Sequence, residues 1–130
     1  MLFAHNATVG PVAILHTDKE AIILGTSLTY YRCNPKYIMP EYLAHYMRSF
    51  EFKRQYLQMM QQSTRNQVPI TKQREFIHII PPLDVQKRLV GKLDGLWGNV
   101  KSLESIYQQK LTALDDLKKS LLHQAFSGEL

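Results

Sequence analysis

Hydrophobic and polar positions follow two rhythms that change at Pro81-Pro82. Before that dipeptide, Leu2–Ala4, Pro11–His16, Ala21–Leu24 and Ser27–Arg32 are short runs rich in β-branched or aromatic residues. They are separated by Gly, Thr and Asp turn chemistry, a pattern that predicts strands of a small, mostly antiparallel sheet. Pro40 then opens a helical spacing through Leu43, Tyr46, Met47, Phe50, Leu57 and Met60, which predicts a helix to about Gln61. A helical turn at Thr71–Glu75 and a strand at Phe76–Ile80 complete this part. Proline lacks an amide hydrogen and biases its predecessor to extended geometry, so Ile80 ends the strand and Asp84 is expected to cap the long helical segment after it.

After the dipeptide the repeat is seven residues long. With Gln86 at position a, later a positions are Leu93, Val100, Tyr107, Leu114 and Leu121; the d positions are Leu89, Leu96, Leu103, Lys110, Leu117 and Gln124. Nine of these twelve are apolar, as a coiled-coil seam requires. Val90, Trp97 and Leu111 at e, with Ile106 and Ala113 at g, widen the stripe beyond a simple two-helix contact. A helix from Asp84 to Phe126 would be about 64 Å long at 1.5 Å per residue, with Gly128 as its C-terminal cap. One small domain does not cover such a length, so a second helix is expected against Leu89, Leu93, Leu96, Val100, Leu103, Tyr107, Leu114, Leu117 and Leu121. Gly91, Gly95 and Gly98 mark either a bend or a close backbone approach. The expected architecture is therefore α+β: a mixed domain over 1–82 and a long pairing helix over 83–130.

Composition narrows the chemistry. The 130 residues carry a net charge of +5, of which residues 1–80 hold +4 and residues 81–130 hold +1. A polyanionic partner therefore belongs with the first part. No apolar run reaches the roughly 18–20 residues that span a bilayer, and the first residues lack signal-peptide character, so a soluble cytoplasmic protein without membrane contact is expected. Cys33 is the single cysteine, and the five histidines never fall at i, i+3 or i+4, so no structural metal is expected.

The candidate catalytic patterns are weak. Asn34-Pro35-Lys36-Tyr37 approaches the (Asn/Asp/Ser)-Pro-Pro-(Tyr/Phe) loop of amino-methyltransferases, but Lys36 replaces the second proline and no Gly-rich loop follows a strand. It reads as a turn. Glu51-Phe52-Lys53 mimics half of a nuclease motif but falls inside the predicted helix without a suitably placed aspartate, and Cys33 reads as filler on a strand. No enzyme activity and no cofactor are expected.

The polar patterns are more informative. Gln62-Ser63-Thr64-Arg65-Asn66-Gln67 carries the side chains that make bidentate contacts with base edges, and Lys72 and Arg74 follow at a distance suited to phosphates. Six of the seven tyrosines lie in residues 30–56 among Arg32, Lys36, Arg48, Lys53 and Arg54, a pattern open to either core packing or base stacking.

Two motifs carry a resemblance. The junction Ile79-Ile80-Pro81-Pro82-Leu83-Asp84-Val85-Gln86-Lys87-Arg88-Leu89 and the closing Gln124-Ala125-Phe126-Ser127-Gly128-Glu129-Leu130 resemble the specificity subunit of type I restriction-modification systems. In that family a target-recognition domain ends in a strand, Pro-Pro-Leu-x-x-Gln and a long conserved helix, and the chain closes on Gln-Ala-Phe-x-Gly-x-Leu. Val85 departs from the glutamate usual before the Gln. Asn6-Ala7-Thr8-Val9-Gly10 and Pro40-Glu41-Tyr42-Leu43 are similar to looser patterns of the recognition domain.

The resemblance implies a non-catalytic DNA reader. In the family, two recognition domains each bind half of a split double-stranded target, and two antiparallel helices hold them apart. Methyltransferase subunits dock on this scaffold, and a translocating restriction subunit joins for cleavage. This chain is similar to a C-terminal fragment or a half-subunit, with one helix and the later part of one recognition domain. The implied assembly is a homodimer through the helices, on a symmetric bipartite target. Arg65, Asn66 and Gln67 are the candidates for base edges, with Thr64, Lys72 and Arg74 for phosphate; Asn6 and Thr8 in the early turn join them. The competing expectation is a coiled-coil structural or oligomerisation module without DNA binding of its own.

Overall fold

The computed structural model describes residues 1–19, 22–61 and 65–128. They form three strands, β1 (Leu2–Ala4), β2 (Val12–Ala13) and β3 (Leu28–Tyr30), and four helices, α1 (Pro40–Arg48), α2 (Phe50–Gln61), α3 (Ile70–Gln73) and α4 (Leu83–Ser127). The fold is α+β, as expected. The strands make one antiparallel sheet in the order β2-β1-β3, with Phe3 opposite both Val12 and Thr29. Contacts divide the chain into two compact units, Met1–Gly91 and Lys92–Leu130.

The core of the first unit is aromatic. Phe3 from the sheet meets Phe52 of α2 edge-on at 5.9 Å between ring centroids, and Phe76 closes on Phe52 at 4.8 Å. Tyr42, Leu43 and Met47 supply the buried face of α1, and Tyr56 extends that of α2. Burying Phe3 and Phe52 completely stabilises the unit by about 1.5–3 kcal/mol each, so the ring cluster fixes the sheet on the two helices.

The single helix expected to run from Pro40 to Gln61 is two. Ser49 leaves the helical region at ψ 159°, and its hydroxyl accepts a hydrogen bond from the Phe52 amide at 3.3 Å, the role of an N-cap. Without that break, the apolar spacing of residues 43–60 would not keep both halves on one core. The strand expected over Pro11–His16 shortens to Val12–Ala13 and Ser27–Arg32 to Leu28–Tyr30, while the helical turn expected at Thr71–Glu75 forms as α3 over Ile70–Gln73. Of Ala21–Leu24, Ala21 lies outside the described residues and Ile22–Leu24 join no strand.

Phe76–Ile80 is not a strand either, and the reason is visible in its partners. Gln55 both donates to the Ile77 carbonyl (3.0 Å) and accepts from the Ile77 amide (2.8 Å). The Tyr46 hydroxyl donates to the same carbonyl (3.0 Å) and that of Tyr42 to the Ile79 carbonyl (2.8 Å). Side chains of α1 and α2 thus satisfy backbone groups that a ladder would otherwise pair.

His78, between those anchors, lies nearly parallel to Phe52 at 5.5 Å and meets the rings of Tyr31, Tyr46 and Phe76. Burial lowers its pKa below the ordinary value of 6.5. The folded state therefore favours the neutral ring, and this contribution is present above the unfolded value of about 6.5 and lost as pH falls from there through the lower folded pKa. The unfolding midpoint should drop between about pH 7.5 and 5, and His78→Phe should flatten the drop. A parallel decline in the variant would assign the effect to another group.

Helix α4 begins at Leu83, so Asp84 lies in its first turn and is not its cap; there it still favours the positive end of the helix dipole. The Pro82 carbonyl takes the Gln86 amide at 3.0 Å. Gln86 is fully buried: its Oε1 accepts from the Met39 amide (2.9 Å), and its Nε2 donates to the carbonyls of Tyr37 (2.8 Å) and Pro81 (2.7 Å). One side chain thereby ties the start of α4 to the loop before α1.

Within the second unit α4 continues unbroken to Ser127, and Gly128 follows at φ 78°, the left-handed conformation of a helix C-terminal cap. Its apolar seam is exposed throughout: Leu96, Val100, Leu103, Tyr107, Leu114, Leu117 and Leu121 all face solvent, Leu114 with 62% of its surface. Among the described residues, the helix's own backbone and the adjoining residues aside, nothing lies within 4 Å of where side chains would begin on Gly91, Gly95 or Gly98. Among the described residues no helix is long and apolar enough to cross a membrane.

Candidate nucleic-acid interface

The turn between β1 and β2 is tight because two residues accept positive φ. Ala7 sits at 60° and Gly10 at 116°, and a Cβ on Gly10 would come within 2.6 Å of the Tyr56 hydroxyl. The Ala4 amide donates to Pro11 and the Gly10 amide back to Ala4, at 2.9 and 3.0 Å. Asn6 and Thr8 are carried on this turn, Thr8 exposed.

The second candidate segment comes to the same place. Val68, fully buried, anchors residues 65–69 to the core, and its amide donates to the His5 carbonyl at 2.8 Å. Asn6 and Gln67 form an antiparallel bridge, and the Asn66 amide side chain donates to the Ala7 carbonyl. Residues some sixty positions apart in sequence, selected for separate reasons, therefore share one surface. Arg65 and Asn66 are exposed and Gln67 half-buried. Thr64 lies outside the described residues.

Not every candidate is equally placed for reading bases. Asn6 Oδ1 accepts from the Ala7 amide at 2.9 Å, so Asn6 and Asn66 both hold the two segments in shape. Lys72 on α3 reaches Glu75 at 2.8 Å, with both side chains more than half exposed. Such a pair contributes little in water and yields readily to a phosphate. Arg74, at the C-terminal end of α3, is exposed.

The residue that sequence reasoning missed is Gln73. It is buried, its Nε2 donates to the Val68 carbonyl at 3.1 Å, and its Oε1 accepts from the Tyr31 hydroxyl at 3.4 Å. It fastens the 65–69 segment to the end of β3, and nothing local in Ile70-Thr71-Lys72-Gln73 announces that role. Burial raises the pKa of Tyr31 to about 12, so this donor keeps its proton across the physiological range.

The tyrosines divide between the two expectations. Tyr42 and Tyr56 are buried and Tyr31 and Tyr46 half-buried, their hydroxyls or rings spent on the core; Tyr30 and Tyr37 remain outside, at 57% and 66% exposure. Asn34-Pro35-Lys36-Tyr37 is a turn, with Asn34 Oδ1 accepting from the Lys36 amide at 3.1 Å. Glu51 lies on the outer face of α2, paired with Arg54 at 3.0 Å. Cys33 is half-buried beyond the end of β3, and burial raises its thiol pKa. Among the described residues no group of three His, Cys, Asp or Glu gathers as a metal site would require.

No family, curated protein or solved structure matches the chain.

Proposed function

We propose that this chain is a non-catalytic DNA sequence-recognition subunit, or part of one, of a type I restriction-modification complex. It binds half of a bipartite double-stranded target from a basic α+β head in the cytoplasm. Two copies pair through α4, and methyltransferase subunits, with the translocating restriction subunit, assemble on the pair. The observation that supports this reading is the convergence of the Asn6–Thr8 turn and the Arg65–Gln67 segment on one polar surface, with Lys72 on α3 and Arg74 at its C-cap following in the chain. A reader of DNA needs base-seeking and phosphate-seeking side chains held together on a rigid support.

The test separates the two kinds of contact. Arg65→Ala should change which duplex is preferred, with a loss of about 1–3 kcal/mol confined to one base pair. Lys72→Ala should weaken all duplexes alike and flatten the salt dependence. Equal losses on every sequence for Arg65→Ala would remove it from base readout.

A second reading has an observation of its own. Asn6 and Asn66 spend their polar atoms on the fold, as they would in a head kept only for its shape. The chain would then be a coiled-coil structural module without DNA affinity. Titration against mixed-sequence duplex at two salt concentrations, with a methyltransferase subunit present, separates them: binding that ignores salt, or no binding, favours the structural module.

A further inference from the structure

A hollow of about 480 Å³ opens beside β3, its lining includes none of the residues assigned above to duplex contact, and that lining is chemically one-sided. Leu15, Ile22 and Leu24 give it an apolar wall, and Tyr30 contributes an aromatic ring more than half exposed. Lys19 and Arg32 supply positive charge, and among the described residues no carboxylate lines it. The Arg32 guanidinium carbon stands over the Tyr30 ring, 5.4 Å from its centroid, so the cation lies on one face of the ring and a stacking partner takes the other. The larger groove along α2 differs: its Arg54 and Lys72 are each matched by a neighbouring glutamate, Glu51 and Glu75. Of the tyrosines interleaved with basic residues, Tyr30 is the one that combines exposure, a hollow and an adjacent cation.

A flat aromatic body with a negatively charged end satisfies every feature of that lining. We propose that the hollow binds one unpaired nucleotide, its base stacked on Tyr30 against the apolar wall and its phosphate between Lys19 and Arg32. Stacking on an aromatic face is tolerant of base identity, so the site selects unpaired over paired nucleotides and does not select sequence. The same chemistry is offered by a free nucleoside monophosphate and by one residue of a single strand. The site does not depend on the duplex reading, because none of its residues belongs to the Asn6–Gln67 surface.

The test is a titration of the full chain with a short labelled oligothymidylate, with thymidine 5′-monophosphate as competitor. Tyr30→Ala should weaken binding at least about fivefold, while Tyr30→Phe keeps it, since stacking needs the ring and not the hydroxyl. Arg32→Ala should reduce the slope of log affinity against log salt by about 0.7. Competition by the monophosphate identifies the free nucleotide as sufficient; its failure, with binding of the strand retained, identifies a strand. Either outcome supports the site. Amide resonances of residues 15–19 and 28–32 should shift on titration, a readout independent of any variant. Unchanged affinity in Tyr30→Ala, or shifts confined to residues 65–74, would overturn the proposal, and neither result bears on the sequence preference set by Arg65.

Discussion

Replacing Gln86 with leucine should cost the first unit about 3–5 kcal/mol, a large share of the stability of a domain this small. The substitution is close in volume, so little of the loss comes from a cavity. It comes from three backbone groups, the Met39 amide and the carbonyls of Tyr37 and Pro81, which lose their partner where water does not replace it. Each buried polar group left unsatisfied costs about 1–3 kcal/mol. Gln86→Glu sharpens the argument, because a carboxylate keeps the acceptor facing Met39 but turns a second oxygen toward two carbonyls. The folded state then favours the protonated acid and raises its pKa. Its contribution is therefore present below the unfolded glutamate value and lost as pH rises through the folded one. Gln86→Glu should thus be least stable at neutral pH and recover on acidification, whereas Gln86→Leu should show no such recovery. The measurement is urea unfolding followed by near-ultraviolet dichroism of the aromatic core, since far-ultraviolet signal is dominated by α4. A loss below about 1 kcal/mol for the leucine variant would mean that water reaches the site.

Gln86 also shows where sequence reading succeeds and where it stops. A glutamine at the first a position of an otherwise apolar seam is visible from periodicity, but its three partners, two of them some forty-seven to forty-nine positions away, are not. Features set by local chemistry were legible: the Asn34 turn, the helix start at Pro40, the heptads and the Gly128 cap all depend on residues within a few positions. The break at Ser49 was also local, in a Ser three residues before Phe52, but the apolar spacing on both sides hid it. Phe76–Ile80 misled for a different reason. Its isoleucines have strand propensity, but Gln55, Tyr46 and Tyr42 satisfied backbone groups that a neighbouring strand would have used. The meeting of Asn6 with Gln67 is tertiary, since the burial of Val68 brings the two segments together, and no spacing in the sequence encodes it.

Leu103→Asp combined with Leu114→Asp should convert the proposed pair to a monomer, lowering the sedimentation mass from twice 15.1 kDa to the single-chain value. Both leucines are more than half exposed, on a seam whose other members, Leu96, Val100, Tyr107, Leu117 and Leu121, are exposed as well. Burying each leucine against a second helix contributes about 1.5–3 kcal/mol, and a lone carboxylate in its place adds a desolvation cost of several kcal/mol. In a two-fold pair every substitution enters the interface twice, so the combined loss exceeds about 5.5 kcal/mol and the association constant falls more than about ten-thousandfold. Ser105→Asp, at the f position of the same heptad, should leave the mass unchanged, because it adds the same charge outside the seam. Dissociation should also reduce helical dichroism, since an amphipathic helix without a partner loses the packing that stabilises it. An unchanged mass in the double variant, or a wild-type chain that sediments as a monomer at all accessible concentrations, would remove pairing through α4. The scaffold on which two reading heads and their methyltransferase subunits are proposed to assemble would go with it.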